Sequence, residues 1–247
     1  MSDNAIPAAT LIVVRERKGA HAPELLMVER SGQMAFAAGA LVFPGGRIDD
    51  ADRRLGAELG IEAAKIAAIR ETLEETAVPV GLSPSPDTVA VRALQDALIA
   101  DQPLADLLQH AGLALEASEL TPFARWVPKF HAVRRFDTCF FVGRCPDGDW
   151  QPRIIEGECA GAFWLTAADV LDRERRGEAR LIFPTRRNLE RLAQHSSFEE
   201  IHADALGHPI EPVMPWVEEV AGERFITIPD HLGYPVTRER LQGLWRG

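Results

Sequence analysis

Three glutamates at helical spacing are the feature that most narrows what this chain can form. Glu71, Glu74 and Glu75 stand at positions i, i+3 and i+4 of the stretch RETLEE, on one face of a helix predicted over 63–77. Apolar side chains recur on the opposite face: Ile66, Ile69 and Leu73. Like charges on an exposed helix cost roughly a few tenths of a kcal/mol per pair, so the acidic face could simply be solvated.

The stretch before this helix, VFPGGRIDDAD, gives the glutamates a second interpretation. A strand-like run over 39–46 ends in two glycines, which let the backbone approach a ligand closely and turn a carbonyl toward it. One carbonyl and three carboxylates are the hard oxygen donors that Mg²⁺ or Mn²⁺ prefers. Zinc is disfavoured because no paired Cys or His accompanies them. A bound cation would also relieve the repulsion between the glutamates.

The remaining patterns favour a mixed α/β sandwich over a doubly wound sheet, because strands and helices alternate without a regular βαβ rhythm. Strands are predicted at 9–16, 24–30, 39–46, 134–144 and 159–166, the first two forming a hairpin. Besides 63–77, helices are predicted at 166–176 after Thr166, at 185–194 after Pro184, and within 87–117 as two short helices broken at Pro103. The tail over 207–237 has few periodic signals.

Length and composition fit one elaborated domain, or one domain plus a small helical attachment, and the cysteines are consistent with a cytoplasmic protein. The chain has 247 residues, 46% of them hydrophobic, which is ample for a buried core. The longest apolar runs are far shorter than the ~20 residues that span a bilayer, and no secretory signal is visible at the N-terminus. The three cysteines have no metal-type spacing, so we expect reduced thiols at Cys139, Cys145 and Cys159.

The formal net charge of −10 argues against a general nucleic-acid binder, since such proteins present a basic surface to release counterions. It does not exclude an anionic small molecule, because a bound divalent cation reverses the local field.

The stretch GG…RETLEETAV resembles the Nudix box, the signature of the Nudix hydrolases, Gly-x5-Glu-x7-Arg-Glu-U-x-Glu-Glu-x-Gly-U with U aliphatic. Gly46 matches the opening glycine, Gly45 the preceding residue whose carbonyl is usually a metal ligand, and Val78 the last aliphatic position. Four residues match the catalytic core of the box: Arg70, Glu71, Glu74 and Glu75.

This chain departs from the box at three positions. Asp52 replaces the first glutamate, and 17 residues separate it from Arg70 where the family has seven, so the box is ten residues longer. Thr72 replaces an aliphatic residue and Ala77 replaces the late glycine. The usual partnership of the first acidic residue with the box arginine is therefore left open for Asp52.

The similarity extends over most of residues 7–195 and points to the subfamily that includes the animal peroxisomal acyl-coenzyme A diphosphatase. The stretches that carry it are PAATLIVVRE, ERSGQMAFAAGALVFPGGRIDDAD, AAIRETLEET, RRFDTCFFV and GECAGAFWLTAADVL. The resemblance implies a Nudix-type α/β/α sandwich with a mixed sheet. We expect a single domain over 1–247, with a helical insertion at 85–122 and a C-terminal extension at 196–247.

The resemblance also implies metal-dependent hydrolysis of a nucleoside diphosphate linked to another group. If this chain follows the family, its Gly45 carbonyl, Glu74 and Glu75 would hold Mg²⁺ or Mn²⁺. Glu71 would lie on a neighbouring metal or in its water shell. Arg70 would orient these carboxylates. Its alternative role is a surface pair with Glu74.

A general base and substrate-binding residues are expected from loops as well as from the box. Glu71 is the candidate base within the box, and Glu158 is the candidate in a loop, with Glu156 a third. The alternative for Glu156 and Glu158 is that they are ordinary acidic residues of a loop, without a catalytic role. Arg30 fits an upstream coenzyme A-type pattern. Arg134 and Arg135 could pair with substrate phosphates or simply face solvent.

The sequence leaves three functions open, besides the alternative of a purely structural protein with an acidic helix. The first is a diphosphatase that cleaves coenzyme A or acyl-coenzyme A to 3′,5′-ADP and a (acyl-)phosphopantetheine. The second is an ADP-ribose or NADH pyrophosphatase, and the third is a non-catalytic nucleotide-sensing domain. The expected partner is a small-molecule nucleotide, without nucleic acid or membrane; a homodimer is left open.

Overall fold

The chain folds around a mixed eight-stranded sheet, which the computed structural model describes for residues 5–32, 37–128, 135–154 and 159–241. The strands are β1 (Ile6–Arg15), β2 (Glu24–Arg30), β3 (Leu41–Val42), β4 (Gly45–Arg47), β5 (Leu82–Ser83), β6 (Ala114–Leu115), β7 (Thr121–Trp126), β8 (Phe136–Arg144), β9 (Cys159–Thr166), β10 (Pro212–Val213), β11 (Trp216–Val220), β12 (Glu223–Thr227) and β13 (Arg238–Arg240). The helices are α1 (Asp50–Leu59), α2 (Ala63–Thr76), α3 (Thr88–Ile99), α4 (Leu104–Ala111), α5 (Ala167–Arg175), α6 (Phe183–Leu192) and α7 (Phe198–Gly207).

The order of the main sheet is β10-β7-β8-β1-β2-β3, with β4 also paired to β1 and β9 to β2. β1 runs parallel to β8 and antiparallel to β2 and β4. The predicted hairpin of the first two strands is therefore confirmed. The start of β1, the start of β8 and the end of β2 all lie at the same end of the sheet.

Helices cover both faces of this sheet, and each face has its own hydrophobic core. Alternate residues of β1 point to opposite sides, as the two-residue repeat of a strand requires. Ala9, Leu11 and Val13 pack with α2, α3 and α4, whereas Ile12 and Val14 pack with α5, α6 and α7. This arrangement confirms the mixed α/β/α sandwich.

Most of the predicted elements lie where the sequence places them, with one predicted strand divided into two. β2 and β9 have the predicted bounds, and α5 begins after Thr166, whose side chain accepts a hydrogen bond from the Asp169 amide. The single strand predicted over 39–46 is wrong: it forms β3 and β4, separated at Pro44. Proline has no N–H for the ladder, so pairing is interrupted there.

The two helices predicted around Pro103 are present as α3 and α4. Pro103 is the N-cap of α4, a position that requires no N–H donor from it. The insertion predicted over 85–122 is too long at its end, because residues 121–122 belong to β7 of the main sheet.

The region after α6 is more ordered than its sequence suggests. It forms α7, then β10 on the edge of the main sheet, then a separate three-stranded antiparallel sheet of β11, β12 and β13. Residues such as Ile226, Leu232 and Tyr234 are buried in the same core as α6. Among the described residues, no helix has both the length and the apolar character needed to cross a membrane.

Candidate metal and catalytic site

α2 presents the three glutamates because its other face is buried. Ile66, Ile69 and Leu73 have side chains almost completely excluded from solvent in the core between α2 and the sheet. That burial fixes the rotation of the helix about its axis. Glu71, with a side chain 16% exposed, therefore faces the turn between β3 and α1 rather than the core.

Two glycines form the part of that turn nearest to α2. Gly45 pairs with β1, and a Cβ built on it would lie 2.4 Å from the carbonyl oxygen of Ala9. A Cβ on Gly46 would lie 2.4 Å from the carboxyl group of Glu71. The Gly45 amide donates a hydrogen bond to Oε2 of Glu75 at 3.0 Å. Glycine at 45 therefore lets this segment pack against β1, and glycine at 46 leaves room for the Glu71 carboxyl group.

Arg70 joins these carboxylates to the preceding helix. Its guanidinium donates to both carboxylate oxygens of Asp52, Nε to Oδ1 at 3.0 Å and Nη2 to Oδ2 at 2.9 Å. Nη1 lies 2.9 Å from Oε1 of Glu71 and 3.4 Å from Oε2 of Glu74. Burial lowers the pKa of Arg70, but the hydrogen bond to Asp52 and the charges of Glu71, Asp52 and Asp49 raise it by more. The side chain is only 13% exposed, so it is not a surface pair with Glu74 alone.

Asp52 lies beside Arg70 even though the box is ten residues longer than in the family. Asp52 is 2% exposed and is the third residue of α1, where it forms a capping box with Asp49. Gly60 ends this helix in the left-handed conformation, and the chain turns back into α2. The contact that the sequence left open is therefore made, because α1 lies alongside α2.

The charge on Glu71 is disfavoured in the protein without a cation. Burial raises the pKa of the Glu71 carboxyl to about 7; Arg70 opposes this rise, and the nearby charge of Glu74 adds to it. A carboxyl group with this pKa is a candidate proton acceptor near neutral pH.

The donor chemistry of this cluster fits a divalent cation of the Mg²⁺ or Mn²⁺ type. Glu71, Glu74, Glu75 and the Gly45 main chain offer oxygen ligands, and Gly46 leaves the space that a Cβ would fill. Within the described ranges, no three His, Cys, Asp or Glu side chains converge as metal ligands. Glu71 and Glu74 instead contact Arg70, and Glu75 contacts the Gly45 amide. To coordinate a cation together, these side chains would have to change their rotamers.

Two of the predicted substrate-binding residues lie at the same end of the sheet as the two glycines. Arg30 is the last residue of β2 and pairs with Cys159 at the start of β9. Arg135 precedes β8, and its carbonyl accepts a hydrogen bond from the Ile6 amide at 2.7 Å. Arg134, Glu156 and Glu158 lie outside the described residues.

Sequence reasoning missed two residues that contact this cluster. The Cys159 thiol lies 4.0 Å from Oε1 of Glu75. Gln95 of α3 donates a hydrogen bond to the carbonyl of Glu74 at 2.9 Å. Gln95 had a signal in the sequence, since it interrupts an otherwise apolar helical stripe; Cys159 had none.

The chain is similar over most of its length to two animal proteins. A Caenorhabditis elegans protein whose name places it among the nudix hydrolases is 26% identical over 208 residues, 82% of this chain and 66% of that protein, just under two thirds of its length. The acyl-coenzyme A diphosphatase NUDT19 of Gallus gallus is 24% identical over 83% of this chain and 71% of its own length.

A bacterial relative and a crystal structure add to these similarities, whereas no protein-family model matches the chain. The Nudix hydrolase NudL of Klebsiella aerogenes is 36% identical over 92 residues, which are 35% of this chain and 67% of that protein. A NUDIX hydrolase from Alicyclobacillus acidocaldarius superposes with a TM-score of 0.71 at 27% identity, over 82% of this chain and 97% of that one.

Proposed function

Because the chain belongs to the Nudix hydrolase family, whose members cleave phosphoric anhydride bonds, we propose that it is a metal-dependent diphosphatase. Its substrate would be a nucleoside diphosphate linked to a second group. The observation that carries the proposal is the cluster around Arg70, where carboxylates from two helices meet beside the Gly45–Gly46 turn. A solvated helix face would not require a buried arginine, or a glycine at position 46 whose missing Cβ leaves room for the Glu71 carboxyl group.

In this proposal each residue of the cluster has its own role. Glu74, Glu75 and the Gly45 carbonyl hold the cation, with Glu71 on a neighbouring metal or in its water shell. When bound, Mg²⁺ or Mn²⁺ polarises phosphoryl oxygens and lowers the pKa of a coordinated water. Arg70 keeps the carboxylates oriented through charge-assisted hydrogen bonds.

The proton of the attacking water needs an acceptor, and among the described residues we propose Glu71. A general base works best when its pKa lies near the working pH, and burial brings the pKa of Glu71 to about 7 in the metal-free protein. Glu158 is the alternative base in the proposal.

Coenzyme A or an acyl-coenzyme A is the substrate that we propose. The name of the Gallus gallus relative supports it, as does the position of Arg30 and Arg135 at the same end of the sheet as the two glycines. Cleavage would give 3′,5′-ADP and a (acyl-)phosphopantetheine. ADP-ribose or NADH is the alternative substrate. A nucleotide-sensing role is less well supported, because Glu71, Glu74 and Glu75 are all retained.

A substrate panel tests this proposal. Coenzyme A, an acyl-coenzyme A, ADP-ribose and NADH are each incubated with Mg²⁺ or Mn²⁺, and the products are identified by mass. Release of 3′,5′-ADP is expected, with no turnover after chelation of the metal. Turnover of ADP-ribose alone would overturn the coenzyme A assignment, and turnover of none would favour the sensing role.

Glu75→Gln provides the matched variant for the panel. It keeps the size of the side chain and its capacity to accept from the Gly45 amide, so the fold should persist while turnover is lost. Substantial activity in this variant would remove Glu75 from the metal ligands.

We also propose a cytoplasmic location, supported by Cys139, Cys145 and Cys159, which form no disulfide among the described residues. Reduced cysteines are the normal state in that compartment. Fractionation of cells that express the full chain tests this assignment.

A further inference from the structure

A buried glutamine on α3 contacts the main chain at the end of the glutamate helix. Gln95 is 0% exposed. The other buried residues of α3 on the same face are apolar: Val91, Leu94 and Leu98. A buried carboxamide costs free energy unless its donors and acceptor are hydrogen-bonded. The bonds that Gln95 makes must therefore account for its place in this core.

The carboxamide of Gln95 uses all of its polar atoms. Nε2 donates to the carbonyl of Glu74 at 2.9 Å and to the carbonyl of Arg153 at 2.8 Å. Oε1 accepts from Nη1 of Arg153 at 3.0 Å. The same arginine forms an ion pair with Asp96, the next residue of α3, at 2.8 Å. Gln95 thus bridges α2 and the stretch around Arg153.

A main-chain hydrogen bond reinforces this bridge. The Arg153 amide donates to the carbonyl of Thr76, the last residue of α2, at 2.8 Å. The final carbonyls of a helix lack partners inside the helix and need them from elsewhere. Gln95 and Arg153 supply partners for two of these carbonyls. The last turn of α2 is therefore held against α3 and against the stretch that leads toward β9.

That last turn carries two of the proposed metal ligands, Glu74 and Glu75. We propose that Gln95 is a positioning residue for the hydrolysis, acting through the main chain of Glu74 to fix where these carboxylates lie. The inference rests on the proposed function. It assigns α3 of the helical insertion a part in supporting the site. Hydrogen bonds that hold metal ligands in place typically change metal affinity or activity about 10–100-fold when they are removed.

Gln95→Leu tests the inference, because leucine has a similar size and cannot hydrogen-bond. We expect kcat to fall about 10–100-fold with little change in KM, and Mn²⁺ affinity measured by calorimetry without substrate to weaken. Leu98→Ala is the matched control on the same helix. It creates a cavity and lowers stability, yet it leaves the Glu74 carbonyl bonded, so kcat and Mn²⁺ affinity of the folded protein should stay at wild-type values.

Each result decides a separate question. Wild-type kcat and Mn²⁺ affinity in folded Gln95→Leu would overturn the inference, as would equal losses in Leu98→Ala. If Gln95→Leu does not fold, Gln95→Glu replaces it, because an ionised carboxylate keeps an acceptor for Arg153 but cannot donate to the Glu74 carbonyl: a lowered kcat is expected, and an unchanged kcat contradicts the inference. A wild-type protein inactive on every diphosphate tested would overturn the proposed function and the inference with it.

Discussion

Arg70 joins acidic side chains from two helices to the main chain of a strand. Its guanidinium contacts Asp52 of α1, Glu71 and Glu74 of its own helix, and the carbonyl of Arg47 in β4. The two parallel hydrogen bonds to Asp52 need a planar, forked cation, so lysine could not replace this arginine. The positions of Asp52, Glu71 and Glu74 therefore depend on one buried positive charge, whereas Glu75 accepts a hydrogen bond from the Gly45 amide.

Glu71 should make the stability of the metal-free protein depend on pH. Its pKa in the folded protein is about 7, above the ordinary value of 4.5, so the folded state binds this proton more tightly than the unfolded chain. The resulting stabilisation is complete below about pH 4.5 and is lost as the pH rises through about 7. Glu71→Gln stays neutral at every pH. Without metal at about pH 8.5, it should unfold with a free energy about 2 kcal/mol higher than wild type.

Urea titrations of both proteins in a chelating buffer measure this difference. At about pH 4 the two free energies of unfolding should converge. Added Mn²⁺ at alkaline pH should reverse the order, because the cation stabilises the folded wild type by mass action. A Glu71→Gln protein less stable than wild type at alkaline pH without metal would contradict the account.

The site residues that could be predicted from the sequence are those with a short-range pattern. Glu71, Glu74 and Glu75 share a helical face, and Gly45 precedes them in a strand-ending turn. Asp52 could not be placed, because 17 intervening residues leave its distance from Arg70 undefined. Its position depends on α1 folding back along α2, a long-range contact that no local spacing specifies.

At the scale of elements, the end of α2 departs from the helix terminus expected for its family. Ala77 adopts φ +54° in the left-handed region, where the resemblance predicts glycine. Its amide still donates to the carbonyl of Leu73. A left-handed conformation costs a non-glycine residue about 1–2 kcal/mol. The contacts of Gln95 and Arg153 with the last turn help to hold this ending in place.

Ala77→Gly and Ala67→Gly should differ in their effect on stability. Both remove one buried methyl group, but Ala67 is in the interior of α2, where glycine is unfavourable. At Ala77 the same change relieves the left-handed conformation. We expect the free energy of unfolding of Ala77→Gly to exceed that of Ala67→Gly by about 1–2 kcal/mol.

Denaturant unfolding of the two variants beside wild type checks this expectation. Equal destabilisation by both substitutions would show that Ala77 carries no conformational cost.

Elements were predicted well where their own residues carry the pattern. β2 contains the apolar run LLMV and β9 the run AFWLT, and both strands have the predicted bounds. β7 was missed because its sequence, TPFARW, is short and contains a proline, which is unusual inside a strand. In the structure this proline, Pro122, pairs with Phe141 next to a shift in the strand register. α1 was missed because its mostly polar sequence is stabilised by caps at both ends rather than by an apolar stripe.

At the scale of the whole molecule, the region after α6 is part of the second core. The Trp126 indole on β7 donates to the Tyr234 hydroxyl at 2.9 Å, and that hydroxyl lies 3.1 Å from Oδ1 of Asn188 on α6. Arg191 of α6 pairs with Asp204 of α7 at 2.7 Å. These buried contacts join the C-terminal region to the main sheet. They favour a single cooperative unit over residues 5–241.

Tyr234→Phe should lower the free energy of unfolding by about 1 kcal/mol, because the Trp126 indole N–H loses its shortest hydrogen bond. Turnover per folded molecule should not change, since Tyr234 and α2 lie on opposite faces of the sheet. Calorimetry should show one transition. Val220→Ala on exposed β11 is the control and should leave stability nearly unchanged.

Two separate calorimetric transitions in the wild type, with only the first shifted by Tyr234→Phe, would contradict this prediction.

The central claim is that carboxylates of one helix and a main-chain oxygen of the preceding turn hold a divalent cation. Anomalous diffraction from crystals of the full chain soaked in Mn²⁺ tests it most directly. The account predicts a manganese peak within coordination distance of the Gly45 carbonyl, Glu74 and Glu75, with Glu71 on a neighbouring ion or in its water shell. Ordered glutamates still bonded to Arg70 and the Gly45 amide, with no anomalous peak between them, would contradict it.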